Sequence, residues 1–230
     1  MIIYGRNPVR EAIRGPRAVS RVWASTNALR EPWLDGSGLP TALADAEELL
    51  RICGSPANQG MCAEVAPFRY AVADQVLAVP DALIVALDQV QDPQNFGAIV
   101  RSAECAGAVG VVLPERRSVE VTPAVCKASA GAVEHIPIAR VRNLADFLAE
   151  AKAAGMWCYG ADAAGEVAYD AVDYRGPVVL VLGSEGRGLR PRVADACDAL
   201  VSLPLRGRIE SLSVSAAAAV LLYAAAGARA

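Results

Sequence analysis

Leu180-Val181-Leu182-Gly183-Ser184-Glu185-Gly186-Arg187-Gly188-Leu189 ends an apolar run that begins at Val178, and closes on three glycines. The run 178–182 lacks any polar–apolar alternation, so a strand formed there is covered on both faces. Glycines at a strand-to-helix junction let the backbone approach a ligand, and free amides there bind polar groups. The spacing is neither the dinucleotide G-x-G-x-x-G nor a P-loop, so NAD and ATP lose support. A plain glycine turn is the lesser reading of the string taken alone.

Outward from this stretch, apolar runs of strand length recur at 83–87, 109–113, 136–141, 156–160 and 200–203. Between them lie helical patterns at 95–106, 123–130 behind Thr122, 144–154 behind Asn143, 191–196 and 212–226. Strand and helix repeated in this way specify an α/β fold: a mostly parallel sheet with helices on both faces. Ligands of such sheets collect at the carboxyl ends of the strands, which directs attention to the loops after Leu87, Leu182 and Leu203.

The first 66 residues form a smaller α/β module. A strand at 2–4 precedes Asn7-Pro8, expected as N-cap and first helical residue ahead of 9–14. A strand at 19–24, a helix at 45–53 and a strand at 61–65 complete it. Residues 67–80, with a short helical pattern at 74–79, are expected to connect it to a second domain, 81–230.

Composition narrows the class. With 54% hydrophobic and 20% charged residues and a net charge of −3 over 230 residues, disorder, collagen and coiled coil are excluded. The longest apolar run, 216–226, falls short of the ~20 residues that cross a bilayer, so no membrane is expected. Met1-Ile2-Ile3-Tyr4-Gly5-Arg6 has no basic flank before a long apolar core, and a cytoplasmic protein is the expectation. Cys53, Cys62, Cys105, Cys126, Cys158 and Cys197 lie far apart, with no C-x-x-C pair or His at zinc spacing. Reduced, mostly buried thiols follow.

The acidic balance argues against nucleic acid, yet it conceals local arrangement. Arg6, Arg10, Arg14, Arg17 and Arg21 face one acid, Glu11, and a second group comprises Arg187, Arg190, Arg192, Arg206 and Arg208. Lys127 and Lys152 are the only lysines, so these are either solvated arginines of an arginine-rich composition or phosphate contacts, which suit arginine better than lysine.

Two more loops carry polar residues. Leu87-Asp88-Gln89-Val90-Gln91-Asp92-Pro93-Gln94-Asn95-Phe96-Gly97-Ala98-Ile99-Val100-Arg101 leaves a strand and enters a helix on which Asn95 and Arg101 are expected on nearby faces. Leu203-Pro204-Leu205-Arg206-Gly207-Arg208-Ile209-Glu210-Ser211-Leu212-Ser213-Val214-Ser215 ends a strand and offers Ser211 or Ser213 as cap of the last helix.

In this order, the three loops resemble those of the SpoU (TrmH-like) family of RNA ribose 2′-O-methyltransferases, within the SPOUT superfamily. Gly5-Arg6-Asn7-Pro8-Val9-Arg10-Glu11-Ala12 and Gln59-Gly60-Met61-Cys62-Ala63-Glu64-Val65 resemble the two ends of the family's ribosomal-protein-L30-like substrate-binding domain. Ala128-Ser129-Ala130-Gly131-Ala132-Val133-Glu134-His135-Ile136-Pro137 is similar to a stretch of the branch that methylates a guanosine of 23S ribosomal RNA.

The resemblance implies a C-terminal trefoil knot, which chain physics alone argues against because threaded chains are almost absent. It also implies a homodimer and S-adenosyl-L-methionine, bound in a bent shape and contacted by Gly183, Leu203 and Leu212, and no metal, because methyl transfer from a sulfonium needs no Lewis acid. The expected reaction is 2′-O-methylation of a guanosine in 23S rRNA. Transfer RNA, an rRNA site linked to antibiotic resistance, or a non-catalytic role in ribosome assembly are the alternatives; a generic nucleotide-binding domain lacks its fingerprint.

Asn95, Arg101, Glu185, Ser211 and Ser213 are the expected catalytic set, and Arg6, Arg10 and Arg14 the candidate RNA contacts. Arginine, always protonated, is a poor base. Arg101 is therefore expected to clamp phosphate and the developing alkoxide, the proton passing to phosphate, water or Glu185. The chain departs from the family at Ser213, where asparagine is usual, and at Asn58, where histidine often stands. His135 is expected to be structural.

Overall fold

The computed structural model describes residues 1–209 and 211–229. In chain order the elements are β1 (Ile2–Tyr4), α1 (Arg6–Arg14), β2 (Val19–Ala24), α2 (Pro32–Asp35), β3 (Thr41–Leu43), α3 (Ala46–Cys53), β4 (Met61–Val65) and α4 (Ala73–Leu77). Then follow β5 (Leu83–Asp88), α5 (Pro93–Cys105), β6 (Gly110–Pro114), α6 (Pro123–Ala128), β7 (Ile138–Val141), α7 (Leu144–Ala153) and β8 (Trp157–Ala161). The last are β9 (Val167–Ala168), β10 (Val178–Gly183), α8 (Pro191–Ala194), β11 (Ala199–Ser202) and α9 (Val214–Ala228).

The chain divides into two compact units: residues 1–69 with 120–135, and residues 70–119 with 136–230. The sequence places the junction at 67–80 and all of 81–230 in the second domain; the chain instead returns to the first unit through α6. Periodicity cannot register such a return, because it reports which face of an element is buried and not against what.

In the first unit the sheet order is β1-β4-β2-β3, with β2 and β3 parallel and the other pairs antiparallel. Leu49, Ile52 and Cys53 of α3 pack with Ile2, Tyr4, Trp23 and Cys62, while α1 packs on β4 and α6 on β1. Helix α1 starts at Arg6 with Gly5 as N-cap and no side-chain cap, not at Pro8 behind Asn7. Gly5, at φ 99°, turns the chain straight from strand to helix. Pro8 still lies in the first turn, where a missing N–H costs nothing. Arg17 and Glu134 form a buried ion pair, with Arg17 Nε 3.1 Å from Glu134 Oε2.

In the second unit the order is β7-β6-β5-β10-β8-β11-β9, every pair parallel. β5, β6 and β10 are buried throughout, as continuous hydrophobicity requires. One face, through Ile84, Ala86, Val179 and Val181, packs on Leu144, Phe147, Leu148 and Ala151 of α7, with Val76 and Val193. Helices α5 and α9 pack on each other, with α9 also against β10. β10 is late in sequence but inserted between β5 and β8, so the exits of β5, β10, β8 and β11 lie side by side.

Candidate active site

The loop after β10 is closed on itself. Ser184 and Gly188 exchange backbone hydrogen bonds of 3.1 and 3.0 Å, and Gly186 and Gly188 take φ of 75° and 63°. Gly183 is fixed by packing: a Cβ there would overlap the Gly188 carbonyl. A buried carboxylate anchors the far end of this loop. Asp88, fully buried at the end of β5, accepts from Arg190 N and Arg190 Nε, both at 2.8 Å. A carboxylate ending an otherwise apolar strand is a legible sign of such a partner, since a buried charge must be paired.

Helix α5 begins behind Asp92, whose Oδ2 accepts from Asn95 N at 2.7 Å. This cap sets Asn95 in the first turn, facing the glycine loop. Asn95 Nδ2 donates to Glu185 Oε1 at 2.5 Å, and Asn95 Oδ1 accepts from Ser215 Oγ at 2.6 Å. Amide nitrogen toward carboxylate and amide oxygen toward hydroxyl is the arrangement their chemistry demands. Ser213 caps α9, accepting from Ala216 N at 3.2 Å, and its Oγ lies 3.2 Å from Ser215 Oγ. A polar chain thus runs from Ser213 through Ser215 and Asn95 to Glu185.

Two clefts meet at this chain. One, of about 400 Å³, is lined by Gly183 to Gly188, Asp162, Ser211 and an apolar wall of Val201, Leu203, Leu205, Leu212 and Val214. The other, of about 350 Å³, is lined by Gln89, Gln91, Asp92 and Asn95. Ser184, Glu185, Arg187 and Val214 border both. Each is of a size that holds a small ligand, roughly 300 Å³ or more.

Of the expected residues, Asn95, Glu185 and Ser213 are thus linked, and Gly183, Leu203, Ser211 and Leu212 line the larger cleft. Arg101 is not among them. It is exposed on α5, lines neither cleft, and makes no hydrogen bond or ion pair to a described residue. Six positions beyond Asn95, it is rotated about 120° and advanced about 9 Å along the helix, so the two do not share a face. Ser215, not assigned from sequence, is the link to Asn95; as one of three serines around the start of an alanine-rich helix it carries no distinguishing local signal.

In the first unit, Arg6 pairs with Glu31 at 2.8 Å, and Arg10 and Arg14 both pair with Glu11, at 2.7 and 3.5 Å. His135 Nε2 lies 3.0 Å from Glu11 Oε2. Burial pushes the Glu11 carboxyl up, but hydrogen bonds from Arg10 and His135 and the charges of Arg10 and Arg14 outweigh it and hold it below the ordinary value of 4.5. Among the described residues no three His, Cys, Asp or Glu side chains are grouped to hold a metal, and no helix is long and apolar enough to cross a membrane. The buried thiols of Cys62 and Cys158 and the half-buried thiol of Cys197 are pushed by desolvation up to about 12.

Residues 82–223 match the SpoU rRNA methylase family, and residues 2–71 match the RNA 2′-O ribose methyltransferase substrate-binding domain. The chain belongs to the SpoU rRNA methylase family. This methyltransferase is 35% identical, over 96% of its length and 93% of the relative's, to a putative TrmH family tRNA/rRNA methyltransferase of Bacillus subtilis. It is 40% identical, over 96% of its length and 74% of the relative's, to an uncharacterized tRNA/rRNA methyltransferase of Mycolicibacterium vanbaalenii. In structure it resembles the SpoU methyltransferase AviRb from Streptomyces viridochromogenes in complex with AdoMet, with a TM-score of 0.82 and 25% identity. That match covers 99% of this chain and 89% of AviRb.

The SpoU chain is accordingly an RNA methyltransferase with S-adenosylmethionine as methyl donor. Its larger cleft fits that donor chemically, with an apolar wall for a base, free backbone amides, and carboxylates for a diol and a cation.

Proposed function

We propose that the protein methylates the ribose 2′-hydroxyl of a guanosine in 23S rRNA, as a cytoplasmic homodimer whose C-terminal segment forms a trefoil knot. What carries the reading is the Asn95–Glu185 hydrogen bond at the border of the two clefts. It separates an apolar, glycine-walled site suited to the donor from a polar site suited to a nucleoside. The 23S target rests on the sequence likeness of 128–137; the knot is supported by the late strand β10 lying between β5 and β8. In this reading Gly183, Leu203 and Leu212 hold the donor, and Arg6, Arg10 and Arg14 exchange their acidic partners for phosphates.

When bound, S-adenosylmethionine supplies an electrophilic methyl group on a sulfonium. The chain's own task is orientation and proton removal. Asn95, its amide held by Ser215, turns Glu185 Oε1 into position and leaves Oε2 to accept the 2′-hydroxyl proton. Ser213 supports Ser215, and Ser211 stands in the wall of the donor cleft.

Arg101, pointing away from its own cleft, serves the site of the second copy, where it clamps phosphate and the developing alkoxide. The exposed Val220 (42%) and Tyr223 (58%) on α9, the helix packed against α5, support a dimer through this face. Methyl mapping on 23S rRNA and tRNA tests the target: methylation of tRNA alone would overturn the rRNA assignment. Mixed dimers of Arg101→Ala and Glu185→Ala subunits test the sharing. One intact site per mixed dimer should restore activity that neither parent has; continued inactivity would overturn it.

A further inference from the structure

The order of strand exits places chemically distinct groups in a line that starts in the smaller cleft and crosses the larger one. After β5 stands Asn95, after β10 Glu185, after β8 Asp162, and after β11 the apolar Leu203 and Leu205. Neighbouring strands are about 4.8 Å apart, so Asp162 lies one strand spacing from the glycine loop and one from the apolar wall. S-adenosylmethionine has a matching covalent order. Its sulfonium must stand at the Asn95–Glu185 border, where the acceptor hydroxyl enters, and its adenine belongs against the apolar wall. The ribose between them then falls at Asp162.

The Asp162 side chain is built for that task. Its backbone N–H donates to Val201 O at 3.0 Å, and its Oδ1 accepts from Ala164 N at 2.9 Å, so the carboxylate is held in place. Its other oxygen, Oδ2, faces the glycine loop: a Cβ on Gly188 would lie 3.5 Å from it. Oδ2 makes no hydrogen bond to a described residue. A fixed carboxylate with one oxygen free matches a vicinal diol, whose hydroxyls both donate.

We infer that Asp162 anchors the ribose of the methyl donor, Oδ2 accepting from its 2′- and 3′-hydroxyls; this rests on the larger cleft being the donor site.

Calorimetry with S-adenosylhomocysteine on full-length protein tests the inference without relying on turnover. Asp162→Asn keeps an Oδ1 acceptor for Ala164 and so preserves the turn, while removing the charge. It should weaken binding about tenfold or more with an unchanged melting temperature. The same loss should appear with 5′-methylthioadenosine, which keeps the ribose but lacks the amino acid. The 2′-deoxy analogue should bind more weakly to the parent and show little further loss on the variant.

Equal affinity of parent and variant overturns the inference while leaving the donor site standing. A penalty that vanishes with 5′-methylthioadenosine also overturns it, by assigning Asp162 to the ammonium group. If the parent protein binds neither compound, the donor site itself is misplaced and the inference falls with it.

Discussion

Replacing Asp88 with alanine tests whether the glycine loop is held from beneath. Asp88 is fully buried and takes 2.8 Å hydrogen bonds from both the backbone N and the Nε of Arg190, with Arg190 Nη2 2.7 Å from Oδ1. Removing one partner of a buried ion pair costs about 3–5 kcal/mol when the other is stranded. Here the survivor is Arg190, whose side chain is 42% exposed and can return to water. What remains is the loss of charge-assisted hydrogen bonds, each about 1.5 kcal/mol or more and not additive, and an unpaired Arg190 amide.

A cost of about 2–3 kcal/mol follows, or a fall of roughly 4–12 °C in melting temperature for a chain of this size. Because Arg190 closes the loop that begins at Gly183, affinity for S-adenosylhomocysteine should also fall about tenfold, read by calorimetry below the melting transition. Asp88→Asn, which retains an acceptor, should lie between parent and alanine variant on both measures. An alanine variant that melts within about 1 °C of the parent and binds as tightly would refute the anchoring role.

Ser215→Ala removes the donor to Asn95 Oδ1. Turnover should fall roughly five- to tenfold, with S-adenosylhomocysteine affinity unchanged; an undiminished rate would show that Asn95 needs no such support. Ser213→Asn keeps a cap of equal quality for α9 and should leave turnover unchanged or higher and melting unaltered. A large loss of turnover would mean that the short hydroxyl is required by the Ser215 contact. Glu11 is held below its ordinary 4.5, so its contribution to stability is complete above that pH and lost as the pH falls through the lower folded value. Glu11→Gln should flatten this acid-side decline in urea-denaturation midpoints, and an identical pH profile would count against the Arg10–Glu11–His135 cluster.

Several features were legible from residues alone. Continuous apolar runs at β5, β6 and β10 reported strands covered on both faces, and their alternation with helical patterns reported a parallel α/β sheet. Thr122 and Asn143 stand where short polar side chains cap helices, and each accepts a backbone N–H as expected; of the two candidates Ser211 and Ser213, it is Ser213 that caps α9. These are local properties, fixed by hydrogen bonding and burial within a few residues. The likeness of three loops to a known family added the chemistry.

Only tertiary structure decided which distant groups meet. The return of 120–135 to the first unit and the insertion of β10 between β5 and β8 depend on contacts that leave no period in the sequence. The same holds for Ser215 reaching Asn95 across 120 positions, and for Asp88 finding Arg190 across 102. Arg101 shows the converse. Its place in a motif beside Asn95 suggested one pocket, but helix geometry turns it outward, because six residues on an α-helix do not complete a whole number of turns.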